Sequence, residues 1–298
     1  MSASPIAHPI FDRPLARARL ARAVRAPAGG ADFLLTRATL ELVERLSLLP
    51  RAFACAVDLA TPTDAAARAL AADPRIDRVI RVAPVLAAAG PAGMMRLVGD
   101  EERSPLADAS CDLIVSLLAL QGVNDLPGAM ILARRALRPD GLFIACLVGG
   151  DSLNELRRSL TIAESEILSG AHPRVSPFAE LRDLGSLLQR AGFALPVVDL
   201  DRVVARYDDI VAVMRDLRAM GAASALVQRA RKPLRRDVLA RAAQVYAETF
   251  ADPDGRLRAT FDCIWLSGWA PHESQQKPLK PGSATMRLED ALKGVRPE

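Results

Sequence analysis

Residues 57–64 combine a buried strand end with a turn at which a nucleotide-type cofactor could bind. The stretch reads Val-Asp-Leu-Ala-Thr-Pro-Thr-Asp, with Asp58 inside the apolar segment and Ala60 directly after it. At the carboxyl edge of a parallel sheet, glycines in this turn let backbone N–H groups approach a ligand at the start of the next helix. This turn contains no glycine. It is therefore either a rewritten cofactor turn or an ordinary connection between a strand and a helix.

Two further positions would belong to the same site. The second strand of such a sheet usually ends in a carboxylate that binds ribose hydroxyls, whereas here the strand ends with Arg81, Val82 and Ala83. The third strand is followed by Asp100 and Glu101, an acidic turn that could meet the base of a cofactor. Acids at this position also serve as solvated helix caps. The sequence thus predicts a retained acidic turn and a missing ribose carboxylate.

The elements that would position these residues follow from the apolar pattern. Short apolar segments alternate with helical ones between residues 54 and 148, which predicts a parallel sheet covered by helices on both faces and joined by right-handed crossovers. The predicted strands cover residues 54–59, 78–82, 96–98, 113–118 and 142–148. The predicted helices cover residues 62–70 and 128–137, and the second is followed by a turn at 138–141.

Both ends of the chain add elements to this core. Apolar residues at helical spacing predict leading helices over 11–25 and 36–49, and Asp12 and Asp32 argue against an alternative reading as a transit peptide. Later segments predict helices over 152–168 and 178–191, a strand over 195–207, helices broken at Lys232-Pro233, and a last strand over 257–265. We divide the chain into N-terminal helices (1–50), an α/β core (51–207), a helical cap insertion (208–252), the last core strand (253–270) and a tail (271–298).

Several motifs carry a resemblance to a known family. They read Val-Asn-Asp-Leu-Pro at residues 123–127, Arg-Pro-Asp-Gly at 138–141, Gly-Gly-Asp-Ser-Leu at 149–153 and Trp-Ala-Pro-His-Glu-Ser-Gln-Gln at 269–276. On these motifs, with Phe-Asp-Arg at 11–13, the chain closely resembles the methyltransferase-like respiratory complex I assembly factors. That family is itself similar to the malonyl-carrier-protein methyltransferases. The resemblance extends over nearly the whole chain.

The resemblance implies a class I methyltransferase fold. This is an α/β three-layer sandwich of the Rossmann-like type, with a mostly parallel seven-stranded sheet, N-terminal helices and an inserted helical cap. It also implies S-adenosylmethionine as the cofactor and, for the eukaryotic relatives, complex I assembly accompanied by arginine hydroxylation of a partner subunit. The chain departs from the family at the cofactor, since Ala60, Pro62 and Asp64 stand at the glycines of its motif and the family's Leu-His-Trp reads Leu-Gln-Gly at 120–122. We expect a degenerate S-adenosylmethionine pocket.

Two functions stay open at this point. In the first, the chain is an assembly-type factor whose old cofactor cleft and cap bind a partner protein such as a complex I subunit. In the second, it is an active methyltransferase on a protein or a carrier-bound small acid, because methyl transfer needs alignment more than a general base. The second function leaves the catalytic residues unknown. The expected cofactor contacts are Asp58, Ala60, Asp100, Glu101 and Ser116, and the expected substrate contacts are Asn124, Asp125 and Arg13.

The histidines and cysteines do not form a metal-ligand pattern. Two histidines and a carboxylate could hold non-haem iron, but no helical or strand spacing brings the three histidines together. The four cysteines lie far apart without a Cys-x-x-Cys pair, which favours buried thiols over disulfides or a zinc site. We predict no metal site. These residues are His8, His172 and His272, with Cys55, Cys111, Cys146 and Cys263.

Charge and hydropathy exclude some classes of function. The 39 basic and 35 acidic residues give a formal net charge of +4, too small for a general nucleic-acid binder. The basic segment 229–236 is either a solvated face or a contact for an acidic protein or an anionic membrane surface. It lacks the interleaved aromatics of a single-stranded nucleic-acid site. No apolar run approaches the ~20 residues of a membrane span, and we expect a cytoplasmic location.

Overall fold

The structure, a computed structural model, describes residues 8–25, 31–85 and 94–276. Within these ranges the strands are β1 (Ala56–Leu59), β2 (Val79–Ala83), β3 (Met95–Val98), β4 (Cys111–Leu117), β5 (Leu137–Gly149), β6 (Ala194–Tyr207) and β7 (Leu257–Trp269). They form one sheet in the order β3-β2-β1-β4-β5-β7-β6. The first five strands in this order, β3, β2, β1, β4 and β5, are parallel, whereas β7 runs antiparallel to both of its neighbours. The predicted sheet, mostly parallel and with an antiparallel pair last, is confirmed.

Helices cover both faces of the sheet. The described helices are α1 (Arg13–Arg25), α2 (Phe33–Ser47), α3 (Ala65–Ala72), α4 (Leu126–Ala136), α5 (Asn154–Leu168), α6 (Leu181–Arg190), α7 (Ile210–Ala219) and α8 (Arg236–Phe250). One core joins α2, α3, α5, α7 and α8 to one face, and a second core joins α4 and α6 to the other. The predicted three-layer α/β sandwich is therefore confirmed.

Alternating side chains in the central strands explain the two cores. All four residues of β1 are buried, with Ala56 in one core and Val57 in the other. In β4, Leu113 and Ile114 are divided in the same way. A strand buried on both faces needs apolar residues at nearly every position, which is why these segments read as continuous apolar runs.

Two boundaries differ from the sequence prediction. Helix α3 begins at Ala65 and not at residue 62, because residues 62–64 form a turn in which the Thr63 hydroxyl accepts a hydrogen bond from Ala65 N–H at 3.3 Å. Residues 138–141 are not a free turn but lie within β5. There, one residue of β4 opposes four of β5 between the pairs Cys111–Leu137 and Leu113–Leu142. The Arg-Pro-Asp-Gly segment thus forms a bulge in β5, in which Asp140 has a φ of 61°.

The two helices between β6 and β7 lie in different places. Helix α8 packs against α5 and β7, and its buried residues Val238, Ala242 and Tyr246 belong to the core of the sheet. Helix α7 instead contacts α1 and β6. Of these two helices, only α7 lines the cavity described below, together with residues that follow it.

Parts of the predicted division lie outside the described residues. These are residues 1–7, 26–30 and 86–93, together with the tail from 277 to 298. The division of the chain into five segments stays a prediction. In the ranges that the structure covers, no helix has both the length and the apolar character that crossing a bilayer requires.

Candidate functional site

A cavity of about 1180 Å³ opens at the carboxyl edge of the parallel strands. Ala60 of the turn after β1, Arg81 of β2 and Glu101 of the turn after β3 line one end of it. Arg13 and Arg17 of α1 line the same end. The carboxyl edge beside the first strand is where open α/β sheets bind ligands. The cavity therefore occupies the place at which a functional site is expected.

The turn after β1 has the backbone shape of a glycine turn without the glycine. Ala60 is buried and has a φ of 62°, in the left-handed region that favours glycine. Its N–H donates to the Val82 carbonyl at 2.6 Å, which holds the turn against β2. This conformation costs an alanine about 1 kcal/mol. The Ala60 methyl group thus lies in the cavity wall at the place where a glycine would leave open backbone.

A buried ion pair joins β1 to β2 beneath this turn. Asp58 and Arg81 are neighbours across the strands, with 0% and 3% of their surfaces exposed. The Arg81 guanidinium donates to Asp58 Oδ2 and, at 2.8 Å, to the Thr61 carbonyl. Burial raises the pKa of Asp58 to about 6, and the Arg81 charge opposes this rise. A cation therefore ties the second strand to the turn.

Asp58 has one oxygen without a partner. Its Oδ1 atom is buried and accepts no hydrogen bond within the described ranges, although Oδ2 is bound by Arg81. Ser116 of β4 also has a buried Oγ with no partner there. The two atoms do not meet, because Val115 pairs with Asp58 and the next side chain points to the other face of the sheet. Neither residue is part of the cavity wall.

The acidic turn after β3 is paired with α1. Arg13 Nη2 lies 2.5 Å from Glu101 Oε2 and 3.3 Å from Asp100 Oδ1, and its Nε lies 3.3 Å from Glu102 Oε2. Arg17 forms a second ion pair with Asp100. Residues four apart lie on one face of a helix. The carboxylates that the sequence assigns to a cofactor base thus contact guanidinium groups of the chain itself.

The Val-Asn-Asp-Leu-Pro motif holds backbone in place. Asn124 Oδ1 accepts from Ile10 N–H and Phe11 N–H at 2.8 Å each, and its Nδ2 donates to the Phe11 carbonyl at 3.1 Å. Asp125 is the N-cap of α4 and accepts from Gly128 N–H at 2.8 Å. Both residues lie beside the cavity but do not line it. Their described contacts attach the start of α1 to the edge of the sheet.

Three residues that form contacts at this edge were not predicted as site residues from the sequence. Glu102 Oε1 accepts from the N–H groups of Asn124 and Asp125 at 2.6 and 2.8 Å, so it links the acidic turn to the start of α4. Arg17 and Arg81 form the ion pairs above. The spacing of Arg13 and Arg17 indicates a shared helix face, but nothing local in the sequence indicates what that face contacts.

Two other motifs stabilise the fold away from the cavity. Asp140 of the Arg-Pro-Asp-Gly motif accepts from Gln275 Nε2 at 3.0 Å and from Arg51 Nη1 at 2.7 Å. Gln275 Nε2 also donates to the Ala270 carbonyl at 2.9 Å. In the Gly-Gly-Asp-Ser-Leu motif, the Ser152 hydroxyl donates to the Gly149 carbonyl and accepts from Asp262 N–H. The first motif thus joins the bulge of β5 to the residues after β7, and the second joins the end of β5 to β7.

None of the histidines or cysteines lines the cavity. His172 N–H donates to the buried Glu164 at 2.7 Å, and His272 bonds to Ser274 in a turn. All four cysteines are buried and free. No cluster of three or more potential metal ligands occurs in residues 8–25, 31–85 and 94–276.

The basic segment 229–236 is partly paired. Arg229 contacts Asp12 at 3.3 Å, and Arg235 forms an ion pair with Asp237. Arg231, Lys232 and Arg236 are exposed. Part of the segment's charge is therefore compensated within the chain.

Comparisons with known proteins agree with the fold and the sequence motifs. Residues 37–145 match the family model described as a methyltransferase domain. The human protein named "Arginine-hydroxylase NDUFAF5, mitochondrial" is 36% identical over 291 residues, which cover 96% of this chain and 84% of that protein. The Danio rerio protein of the same name is 42% identical, but the match covers only 66% of this chain and 61% of that protein.

Enzymes named for methyl transfer are also similar. The malonyl-[acyl-carrier protein] O-methyltransferase of a Methylovorus species is 36% identical over 272 residues, which cover 86% of this chain and 89% of that enzyme. A putative methyltransferase from Bacillus halodurans has the same fold, with a TM-score of 0.54, 14% identity, and coverage of 78% of this chain and 99% of that one. The chain thus belongs to the class I methyltransferase family, with relatives among both the NDUFAF5-type arginine hydroxylases and the malonyl-[acyl-carrier protein] O-methyltransferases.

Proposed function

We propose that this protein is an assembly-type factor that acts on a partner protein, such as a subunit of respiratory complex I, and that its S-adenosylmethionine site is degenerate. The observation that carries the proposal is the filling of the cofactor edge by guanidinium groups of the chain itself. Arg13 and Arg17 contact the acidic turn, and Arg81 is bound to the turn after β1. We propose the cytoplasm as its place of action.

Three features of the edge support altered cofactor binding. S-adenosylmethionine has ribose hydroxyls that need an acceptor, but the end of β2 offers none, and Arg81 within the strand is a donor. Its methionine part needs open backbone, but the Ala60 methyl group lies in the wall. Its adenine needs the acidic turn, whose oxygens already accept from Arg13. The described residues do not fit this cofactor in its usual position, and we derive no reaction step through it.

The relatives support the choice of a protein partner. The human relative, matched over 84% of its length, is named an arginine hydroxylase. A guanidinium substrate would find carboxylates at the acidic turn, where Arg13 lies in this structure. The basic segment 229–236 would offer exposed cations to an acidic surface of the partner or to an anionic membrane beside it.

Affinity capture from cells that make complex I tests the proposal. The protein should recover a complex I subunit, and a charge-reversed Arg231→Glu and Lys232→Glu variant should recover less if the basic segment contributes. A deletion strain should accumulate less assembled complex I. Capture of no complex I subunit, together with normal complex I in the deletion strain, would remove this function.

The second candidate is an active S-adenosylmethionine-dependent methyltransferase. The complete sheet order and the large cavity favour it, as does the similarity to an O-methyltransferase over 89% of that enzyme. Its substrate would then be a protein or a carrier-bound small acid. Displacement at a methyl group needs alignment of donor and acceptor, and the cavity is large enough to hold both.

Calorimetric titration with S-adenosylmethionine separates the two candidates. We expect no binding to the unchanged protein at millimolar cofactor and measurable binding to the variant Ala60→Gly, Pro62→Gly, Asp64→Gly, because backbone N–H groups become accessible. Asp64 is paired with Arg68 at 2.8 Å, so its charge is partly compensated and the gain comes mainly from lost bulk. Adding Ala83→Asp should increase the gain.

Asp100→Ala supplies the control for this titration. Binding that the unchanged protein shows at micromolar affinity, and that Asp100→Ala abolishes, would favour the methyltransferase over the assembly factor. A folded triple variant that binds no more tightly than the unchanged protein would place the obstruction elsewhere. Gln121 and Gly122, which also line the cavity, would be the next residues to change.

A further inference from the structure

A group of arginines lies farther along α1 than the pairs with the acidic turn. Arg19 and Arg22 belong to α1, Arg218 to α7, and Arg229 to the segment after it. Arg19 follows Arg13 by six residues, or about 9 Å along the helix axis. We call these four residues the cation group. It is thus separate from the acidic turn, and neither proposed function uses it as a unit.

The cation group has more charge than its surroundings compensate. Burial lowers the pKa of Arg19, as do the guanidinium groups of Arg229, Arg22 and Arg218, and Asp12 is the acid that opposes them. Asp12 is bound by Arg229 at 3.3 Å. Like charges held together are unfavourable unless an anion lies between them.

Backbone contacts hold the group in position. Arg19 Nη1 donates to the carbonyls of Ala223, at 2.9 Å, and Ser224. Arg229 Nη1 donates to the Leu226 carbonyl at 2.8 Å. Arg22 and Arg218 are exposed and form no ion pair with a carboxylate in the described part of the chain. Two guanidinium groups are therefore fixed, whereas that of Arg218, which lines the cavity, is available to a ligand there.

The same cavity brings cations and apolar side chains together. Arg19, Arg218 and Arg229 line it, as does Lys232. Apolar side chains from α1, α7 and the following loop also line it, among them Leu20, Met214, Leu217, Met220 and Leu234. Methionines and leucines adapt to flexible apolar ligands. At about 1180 Å³, the cavity exceeds the usual size range of small-molecule pockets.

We propose that the cavity binds a single-chain amphiphile, with its phosphate or carboxylate head at the cation group and its apolar chain along the wall of leucines and methionines. The head would accept charge-assisted hydrogen bonds from Arg218, which lines the cavity, and would offset the repulsion around Arg19. The chain would bury apolar surface that is otherwise in contact with water in the cavity. This inference goes beyond the proposed function and does not depend on it.

Calorimetry with four probes, each below its critical micelle concentration, tests the two halves of the ligand separately. Dodecyl phosphate and dodecanoate carry both a chain and an anionic head, inorganic phosphate carries the head alone, and dodecyl maltoside carries the chain with a neutral head. We expect one-to-one binding of at least one anionic amphiphile, and weaker binding of inorganic phosphate and of the maltoside. The better of the two anions identifies the head group. Equal affinity for dodecyl maltoside and the anionic amphiphiles, or no binding of either anion, would overturn the proposal.

A matched pair of variants locates the head group. Arg218→Gln should weaken binding of the preferred amphiphile by about ten-fold, the loss expected when a charged hydrogen-bond donor is removed. Arg215→Gln is the control, because Arg215 is exposed on the same helix and does not line the cavity. Equal affinities of the two variants would contradict the assignment. Higher ionic strength should weaken binding to the unchanged protein, and this measurement tests the charged head group even if Arg218→Gln fails to fold.

Discussion

Asp58 and Arg81 show at the scale of single residues how burial competes with pairing. Both are almost fully buried, and Arg81 donates to Asp58 and to the Thr61 carbonyl. Despite that partner, burial raises the pKa of Asp58 to about 6, and one carboxylate oxygen accepts no hydrogen bond in the described ranges. Removal from water is thus the larger effect, as is common for buried ion pairs.

The raised pKa predicts how Asp58 changes stability with pH. The folded state binds a proton more tightly than the unfolded state, so the stabilisation from protonated Asp58 is present below its ordinary pKa and lost as pH rises through about 6. The rise of this pKa from 3.8 to about 6 corresponds to about 3 kcal/mol in the free energy of unfolding. We expect the unchanged protein to lose up to that amount relative to Asp58→Asn between pH 4 and pH 7, measured by urea unfolding.

A second variant controls for the general effect of acid. Asp108 pairs with Arg135 on the surface, with 64% of its side chain exposed. The difference in unfolding free energy between the unchanged protein and Asp108→Asn should stay nearly constant over the same pH range. A constant difference for Asp58→Asn as well, or one of opposite sign, would show that pairing with Arg81 outweighs burial.

At the scale of elements, local pattern predicted the strands but not the contacts between them. Apolar runs predicted β1, β2, β4 and β5 because strands buried on both faces need such runs. The pairing of Asp58 with Arg81 depends on the register of β1 and β2, which periodicity does not specify. The contact between Arg13 and Glu101 joins residues 88 positions apart. Side chains named as site residues were therefore found near one edge, but their partners required the tertiary structure.

In the sequence, the motif at 269–276 indicated only the resemblance to a family and predicted no structural role. Asp140 and Gln275 are 135 residues apart, yet they bond directly. The pKa of Asp140 is lowered by the hydrogen bond from Gln275 and by the Arg51 charge. Two motifs with separate places in the sequence are thus one structural unit, formed by the bulge of β5 and the residues after β7.

This unit gives a prediction about stability. Gln275→Ala removes the hydrogen bonds from Nε2 to Asp140 and to the Ala270 carbonyl, and should lower the free energy of unfolding by about 1–2 kcal/mol. Gln276→Ala is the control, since Gln276 is exposed and adjacent. Urea unfolding measures both variants. Equal losses for the two would mean that the contact with Asp140 adds nothing to stability.

At the scale of the whole molecule, the reactivity of the thiols measures how well the two cores exclude solvent. All four cysteines are buried and free. Burial raises the pKa of Cys111 to about 12, and a hydrogen bond with Cys263 together with burial raises the pKa of Cys146 well above its ordinary value. A thiol reagent needs both access and a thiolate, and Cys111 and Cys146 offer neither. The hydrogen bond with Cys146 lowers the pKa of Cys263, so burial is what protects this thiol.

The burial of the cysteines predicts how fast they react with a thiol reagent. The native protein should react slowly with a thiol reagent, and all four thiols should react after unfolding in urea. Ser47→Cys is the control, because Ser47 is exposed at the end of α2 and should add one fast-reacting thiol. Rapid reaction of an original cysteine in the native protein would show that one of the cores opens at low cost.

The hydrogen bond between Gln275 and Asp140 also determines where the protein is best attached to a surface. Gly141 bonds to Ala270 at the start of β5, whereas Phe11 is bound by Asn124 beside the carboxyl edge. The eight residue steps of β5 from Gly141 to Gly149 separate these edges by about 26 Å. Gln275 thus lies on the edge away from the cavity, and Phe11 lines the cavity. Capture and titration experiments should attach the support at Gln276, which is exposed on that far edge, so that the support leaves the cavity free.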